Sequence, residues 1–401
     1  MATGQINFTT LNGTTDFVSK SFAGMITRLM PNGAAPLFGM TSMLESETAT
    51  QIEHGFFTKT MIFPELTLNA AVADGAATTF TVTSTTNITP GMMMRSQATG
   101  EVVIINTVPN STSVTVTRGV GTVAAAAISN STKLYQIGNA FEEGSNRPTA
   151  LSIQAVRVTN LTQIFRNSWA LTDTARAVQV IAGDSNEAES RSECAAFHAA
   201  DIEKAIFFGQ KFSGTRNGQP FRTMDGLINQ VTTNAAANIT TAGGTTNYTQ
   251  LEAALDIVFN VTTDPKVANE RLLFVGGVAK RVLNNIGRLN GTYQLVDGQT
   301  SYGLQFSSFK TARGTFRMIE HPLFNSNTDW AKMAVAVDLT SFKLAYLGDR
   351  KTKSSEYGAD GKALENGADA IGGSLTTELT ALVKNPQANA VIYGLTAAAA
   401  G

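Results

Sequence analysis

The stretch from Phe141 to Lys211 reads FEEGSNRPTALSIQAVRVTNLTQIFRNSWALTDTARAVQVIAGDSNEAESRSECAAFHAADIEKAIFFGQK, and it decides the fold. Its first part, around Ala150–Phe165, has the composition of a strand pair. Its second part predicts one long helix from about Glu187 to Phe208. The residue Asp184 precedes Glu187 at the spacing of a capping box, which predicts that the helix begins near Ser185.

The predicted helix has one apolar face, followed by Gly209, a residue typical of helix C-termini. Apolar residues recur along it at the three-and-four spacing of a helix and are Ala195, Ala199, Ile202 and Ile206, with Phe197 beside them. This spacing by itself is typical of an amphipathic helix in any α+β domain. The order of the whole stretch is more specific than its helical period.

The ordered stretch resembles the major capsid proteins of tailed bacteriophages, which share the Hong Kong 97 (HK-97-like) capsid fold. In that family an extended loop returns through such a strand into a long spine helix that crosses the peripheral domain. The resemblance implies an α+β phage capsid fold. It also implies an architectural function, in which the chain self-assembles into the icosahedral head shell that encloses phage DNA and has no catalytic residues.

The resemblance also implies a division of the chain into domains. Its parts are an N-terminal arm (1–50), an extended loop (51–65 and 139–160), a β insertion in that loop (66–138), a peripheral domain with the spine helix (161–248 and 346–401) and an axial domain (249–345). No long charged coiled-coil segment precedes the arm, so we expect a separate scaffolding protein or none. An encapsulin-like bacterial compartment shell is the alternative, because it shares the fold.

The predicted insertion is rich in Thr, Val, Ala, Ser and Gly, and short strand-like runs alternate with turn signals. The runs are Thr79–Ser84, Glu101–Val108, Ser113–Arg118 and Lys133–Ile137. Their spacing predicts a small antiparallel β-barrel or sandwich. The run RGVGT (Arg118–Thr122) resembles a feature of β modules inserted in some phage capsid proteins. A carbohydrate-binding module is the alternative, but the segment offers only Phe80 and Tyr135 for stacking sugar rings.

The C-terminal half predicts a mixed α/β domain after a surface loop at residues 212–247. Thr249 and Glu252 have capping-box spacing, a buried strand is expected at Arg271–Val275, and a second helix follows Gly276-Gly277. Thr311-Ala312-Arg313-Gly314 and His321-Pro322 resemble the hairpin and strand end of capsid axial domains. The stretch GGSLTTELTALVKNPQANAVIYGL (Gly372–Leu395) alternates as a long strand pair suited to return beneath the spine helix.

Composition excludes some function classes. The 401 residues contain 30 Lys plus Arg against 31 Asp plus Glu, a net charge of −1, so a dedicated nucleic-acid binder is not indicated and any contact with DNA is weak and local. Charged residues make up 15% of the chain. This is low for a soluble domain and suits extensive burial against neighbouring subunits. Neither a signal peptide nor a membrane helix is indicated.

Catalytic chemistry finds little support in the sequence. Gly276-Gly277 matches no phosphate-binding fingerprint and is interpreted as a tight strand-to-helix turn. Cys194 and His198 lie one helical turn apart, as a thiol and its base would, but no orienting group accompanies them, so a packed thiol is favoured. His54, His198 and His321 fall in different predicted elements, which argues against a metal site. We therefore predict no catalytic residue, cofactor or metal.

The predicted functional residues are contacts between subunits. Glu142-Glu143 close to Arg147 is interpreted as an electrostatic contact at the base of the extended loop. Phe17 and Phe22 lie on the apolar side of a short helix predicted in the arm at Asp16–Leu29. The implied partners are other copies in hexamers and pentamers, with decoration, scaffolding and portal proteins as further candidates. The implied location is the virion capsid, assembled in the host cytoplasm, with no membrane partner.

Overall fold

The computed structural model of the protein describes residues 35–43, 45–59, 63–148, 150–178, 186–261, 269–290, 300–301, 304–305, 307–358 and 370–399. The predicted arm helix with Phe17 and Phe22 lies outside these residues. The chain divides into two compact units. We call the unit Phe57–Val158 the barrel, and the described residues up to Phe56 and from Thr159 onward the body.

Helices and strands alternate irregularly along the chain. In chain order they are α1 (Pro36–Met43), β1 (Glu47–Ala49), β2 (Glu53–Thr58), β3 (Glu65–Thr67), β4 (Thr79–Thr81), β5 (Met92–Ser96), β6 (Val102–Asn110), β7 (Ser113–Thr117), β8 (Lys133–Asn139), β9 (Val156–Leu161), β10 (Gln163–Thr172), α2 (Asp173–Ala177), α3 (Asn186–Phe208), β11 (Phe212–Arg216), β12 (Gln219–Thr223), α4 (Leu227–Asn234), β13 (Ile239–Thr246), α5 (Tyr248–Asp256), β14 (Glu270–Val275), α6 (Gly277–Asn290), β15 (Thr300–Ser301), β16 (Leu304–Gln305), β17 (Ser307–Lys310), β18 (Thr315–Glu320), β19 (Ala334–Val337), β20 (Phe342–Leu347), β21 (Lys353–Tyr357), β22 (Ala370–Val383) and β23 (Ala390–Ala398).

The first body sheet has the strand order β1-β20-β22-β10, and β21 also pairs with β22. β22 is antiparallel to β10 from Leu379 opposite Gln163 to Ala370 opposite Thr172. α3 packs on one face of this sheet, where Ile202 and Ile206 are fully buried in one cluster with Phe165. The long helix and the burial of these two isoleucines are therefore confirmed.

The second body sheet has the order β13-β23-β19-β14-β18-β17. Its strand β14 is covered on both faces, because Leu273 and Val275 pack with α5 and α6 in one core while Phe274 packs in the core shared with α3. A strand covered on both faces has a continuous apolar run rather than an alternating one, which explains the sequence RLLFV. The β17–β18 hairpin closes at Thr311, whose backbone N–H donates to the Gly314 carbonyl, as predicted.

The barrel has the strand order β3-β8-β5-β6-β7-β4. A bridge between Leu68 and Val82 joins the two ends of this order, with backbone hydrogen bonds on either side of it. The sheet therefore closes around a core of its own that includes Phe80, Met94 and Ile105. The predicted runs all form strands, while β3 and β5 were missed because they are short or consist largely of methionine.

Several predictions about the body were wrong. Residues 212–247 are not a surface loop, because they form β11, β12, α4 and β13, and α4 buries Leu227 and Val231. The capping box of α5 is Asn247 with Gln250, two residues before the predicted pair. The C-terminal strands do not pair with each other, since β22 lies in the first body sheet and β23 in the second. Likewise β9 pairs with β2, and β10 pairs with β22.

Candidate functional site

The buried face of α3 differs from the prediction in two ways. Ala195 is exposed and Phe197 is 61% exposed, whereas the polar residues His198 and Glu203 are buried. The face follows Cys194, His198, Ile202 and Ile206, each four residues after the last, with Glu203 beside it. A search for apolar residues misses such a face, because polar side chains are also buried on it where hydrogen bonds satisfy them.

Glu203 joins three parts of the body. Its Oε1 accepts from the Leu37 N–H at 2.8 Å, and its Oε2 accepts from the Phe38 N–H at 2.6 Å, so the carboxylate caps the first turn of α1. The His321 Nε2 lies 2.8 Å from the same Oε1. Because the Leu323 N–H donates to His321 Nδ1, the imidazole proton is on Nε2 and points at the carboxylate. Sequence reasoning missed this role, although Glu203 next to Ile202 on a buried stripe was a signal for it.

His198 holds α3 to the first body sheet. Its Nδ1 lies 2.7 Å from Asn167 Oδ1 in β10, and its Nε2 lies 2.8 Å from Thr377 Oγ1 in β22. Burial lowers the pKa of His198 below its ordinary 6.5, although the nearby Asp201 acts in the opposite direction. Both ring nitrogens are therefore occupied by structural partners rather than by the thiol one turn away.

The Cys194 thiol is buried beside Trp169 and Ile371. Burial raises the pKa of Cys194, which leaves the thiol protonated, and a backbone contact with Leu375 offsets this only in part. These two observations agree with the predicted packed thiol. The Gly276-Gly277 turn is equally structural, because the Gly277 N–H donates to Asn325 Oδ1 and a side chain at Gly276 would collide with the Ala331 backbone.

In the barrel, Arg118 of the RGVGT run forms a buried ion pair with Glu101. Its Nε and one terminal nitrogen lie 2.9 and 2.6 Å from the two carboxylate oxygens. Burial acts to raise the pKa of Glu101, but the hydrogen bonds from Arg118 and the Gly119 N–H outweigh it and lower that pKa below 4.5. Arg118 also donates to the carbonyls of Asp74 and Ala126. Arg118 therefore links the loops that contain Asp74 and Ala126 to Glu101.

The predicted contact residues Glu142, Glu143 and Arg147 are all exposed. Within the described residues no ion pair joins either glutamate to Arg147. Glu142 instead starts a turn, in which the Ser145 N–H donates to its carbonyl. Their role between subunits stays a prediction, as does that of Phe17 and Phe22.

Two large apolar side chains of β2 and β9 are exposed, Phe57 at 73% and Val156 at 62%. β2 and β9 pair with each other, and in the described part of the chain neither has a second strand beside it. We call these two strands the β2–β9 ribbon. A two-stranded ribbon of this kind is marginally stable alone in water.

Neither a metal centre nor a membrane span is found among the described residues. These residues contain no group of three or more His, Cys, Asp or Glu side chains placed to hold a metal ion. No described helix combines the length and apolar character needed to cross a membrane.

Comparison with known proteins gives matches over nearly the whole chain. Residues 7–396 match the family described as SU10 major capsid protein. The major capsid protein of Pseudomonas phage PaMx41 is 44% identical over 389 residues, which cover 94% of this chain and 92% of that protein.

Two solved structures show weaker likeness. One is from Mycobacterium phage Bobi (TM-score 0.48, 9% identity, 94% of this chain and 96% of that chain). The other is the holo-SrpI encapsulin complex from Synechococcus elongatus PCC 7942 (TM-score 0.42, 12% identity, 60% of this chain and 77% of that chain). Both TM-scores are below 0.5, so the assignment rests on the sequence matches.

A mixed α+β body with one long helix, matched over residues 7–396 by a capsid protein family, defines a structural subunit of a phage virion. The chain belongs to the SU10 major capsid protein family. Its fold is accordingly a phage capsid fold, its place is the virion capsid, and the family is a structural one rather than an enzyme family. The encapsulin-like alternative takes second place.

Proposed function

We propose that the chain self-assembles into the hexamers and pentamers of an icosahedral head around packaged DNA, and that the β2–β9 ribbon is the element with which each subunit reaches its neighbours. Family membership supports the first part. Assembly takes place in the host cytoplasm, with scaffolding, decoration and portal proteins as candidate partners. DNA is contacted weakly, since the net charge of the chain is −1.

The exposed ribbon is the observation that carries the second part. Unpaired strand edges are templates for pairing with another chain, and exposed apolar side chains mark interaction surfaces. Phe57 and Val156 would be covered by a neighbouring subunit, which supplies the burial that the ribbon lacks in the single chain. Interfaces of obligate assemblies commonly bury about 2,000 Å² or more, so the ribbon would supply part of a larger contact.

The test compares purified wild-type protein with the variant Phe57→Lys/Val156→Lys by sedimentation velocity and negative-stain microscopy. We expect shells or capsomers from the wild type, and a folded but small species from the variant. Phe197→Lys is the matched control, because Phe197 is also exposed but lies on α3. A wild-type monomer at high concentration under several salt conditions contradicts the shell function. Normal shells from the ribbon variant contradict only the role of the ribbon.

We also propose that residues 66–138 are an insertion that the body does not need in order to fold. The segment begins and ends at neighbouring strands, because Glu65 of β3 lies directly opposite Tyr135 of β8. A short Gly/Ser linker therefore suffices to replace it. Far-UV circular dichroism and thermal unfolding of the shortened chain should show an intact body. Loss of all soluble protein would contradict an independent insertion.

A further inference from the structure

One face of the first body sheet carries a concentration of positive charge. Successive side chains of a strand point to opposite faces. Trp169 and Thr377 point toward α3, because Trp169 packs with Cys194 and Thr377 contacts His198. Arg166 and Thr376, which are directly opposite each other, therefore point away from α3.

Lys353 of β21 is also directly opposite Thr376, on the other side of β22. Arg166 and Lys353 thus flank Thr376 on one row of the sheet, and both are exposed. Two strand spacings place their backbones about 10 Å apart. Neither forms an ion pair within the described residues.

The neighbouring row contains the carboxylate of Glu378, which is buried. Arg222 lies 3.5 Å from its Oε1, and Arg350 lies 3.1 Å from its Oε2, close enough for ion pairing although not aligned for a hydrogen bond. Two further cations, Arg222 and Arg350, therefore lie beside this one carboxylate. We call Arg166, Arg222, Arg350 and Lys353 the cationic face.

A row of three serines adjoins the cationic face on its other side. Ser374 of β22 is directly opposite Ser168 of β10 and Ser355 of β21. The Ser374 hydroxyl is buried and has no hydrogen-bond partner among the described residues, which is unusual for a buried polar group. A cavity of about 520 Å³ opens here and is lined by Arg166, Ser168 and Ser374. Hydroxyl donors beside unpaired cations are a setting that favours carboxylate oxygens.

We propose that the cationic face receives the Glu142-Glu143 pair of a second copy of this chain. The inference rests on the proposed shell function and names the surfaces that meet within it. Two exposed carboxylates on adjacent residues match two exposed cations in number. Adjacent Cα atoms are about 3.8 Å apart, and the two flexible glutamate side chains extend this to the separation of Arg166 and Lys353. Such contacts fix the register between neighbours more than they add affinity.

The charge pattern favours a protein partner over nucleic acid. A nucleic-acid surface gathers cations along the path of a phosphate backbone. Here the carboxylate of Glu378 lies beside two of the four cations, and the net charge of the whole chain is −1. A polyanion would be repelled by Glu378, whereas two discrete carboxylates occupy the flanking positions.

A charge-swap experiment on the full chain tests the proposal. Arg166→Glu/Lys353→Glu and Glu142→Lys/Glu143→Lys should each lower the yield of shells about tenfold or more, because each places like charges against each other. The chain that carries all four substitutions should recover a yield close to that of the wild type. Thermal unfolding of the unassembled variants should match the wild type, since all four side chains are exposed.

The matched control combines Glu142→Lys/Glu143→Lys with Arg281→Glu/Arg288→Glu, two exposed cations of α6 that should give no recovery. Failure of the four-substitution chain to recover, while the wild type forms shells, overturns the proposal without touching the shell function. Asp360 and Glu365 are acidic residues of the same chain, between β21 and β22. If Asp360→Lys/Glu365→Lys restores the shell yield of Arg166→Glu/Lys353→Glu, the partner is internal and the proposal is overturned. Normal shells that bind DNA more weakly would overturn it in favour of nucleic acid.

Cysteine crosslinking locates the contact directly. In a Cys194→Ser background, Glu142→Cys combined with Lys353→Cys should give disulfide-linked oligomers on oxidation of assembled shells. Glu142→Cys combined with Arg281→Cys is the control pair. A ladder of linked chains from the first pair alone supports the proposal, and equal crosslinking of both pairs, or none from the first, contradicts it.

Discussion

Glu101 of the barrel and Glu203 of the body are both fully buried, and the two units satisfy these carboxylates in opposite ways. Glu101 of the barrel pairs with Arg118, 17 residues away, through two hydrogen bonds. Glu203 of the body takes its partners from Leu37, 166 residues before it, and from His321, 118 residues after it. The buried glutamate of the barrel is thus satisfied within the barrel, while that of the body depends on segments from both halves of the chain. A substitution that destabilises the barrel should therefore affect the barrel alone. A substitution that destabilises the body should affect distant segments of the body as well.

The largest expected effect is that of Ile202→Asp. The substitution places a carboxylate in the fully buried core between α3 and the first body sheet, at a cost of several kcal/mol. The subunit should fail to fold, and soluble protein and shells should both be lost in an expression test. Phe197→Asp, on the exposed side of the same helix, should leave the fold intact. Normal shells from Ile202→Asp would show that the packing of α3 is misassigned.

Arg118→Met should have the next largest effect, confined to the barrel. Removal of one member of a buried ion pair leaves the other uncompensated and costs about 3 kcal/mol or more. Hydrogen exchange should show faster exchange in β6 and β7 and unchanged exchange in β22. Lys133→Met, which removes an exposed ion pair with Glu65, should alter neither. Faster exchange in β22 would show that the effect of losing Arg118 is not confined to the barrel.

Glu203→Gln should weaken the attachment of α1 by about 2 kcal/mol, since two backbone donors and one imidazole lose their charged acceptor. The amides of Leu37 and Phe38 should exchange faster than those of the barrel. Glu193→Gln, an exposed position on the same helix, is the control. If α1 keeps its protection, apolar packing holds it and Glu203 is not the anchor.

The smallest expected effect concerns pH. Because burial lowers the pKa of His198, the unfolded chain binds its proton more tightly than the folded body does. The contribution of neutral His198 to stability is present above pH 6.5 and is lost as the pH falls through its lowered pKa. His198→Asn should therefore show a weaker loss of stability in acid than the wild type, by urea unfolding at a series of pH values. Parallel pH profiles would show that His198 has the same pKa in the folded and the unfolded chain.

The sequence predicts elements where burial and hydropathy agree. α3, β14 and most barrel strands follow from apolar spacing and turn residues, and the closed form of the barrel is one of the two forms expected from them. Prediction from the sequence fails where tertiary contacts override local signals. The C-terminal strands alternate alike, yet one joins each sheet, and nothing in their own residues distinguishes the two environments.

The candidate site shows the same limit. The role of Glu203 depends on residues more than 100 positions away, which the spacing of residues along one helix does not reveal. The cationic face appears only once the register of three strands is known, because Arg166 and Lys353 belong to separate strands on either side of β22. The net charge of the chain does not reveal such a patch, because acidic residues elsewhere offset its cations.

Closure of the barrel has a consequence for a protein that exists as many copies on one surface. A shell holds its subunits at a very high local concentration, and open strand edges at that concentration pair indiscriminately. The bridge between Leu68 and Val82 leaves the barrel without a free edge in its described strand order. A closed barrel offers no strand edge for exchange with a neighbouring subunit, so its loops can diverge in sequence without fusing one subunit to the next.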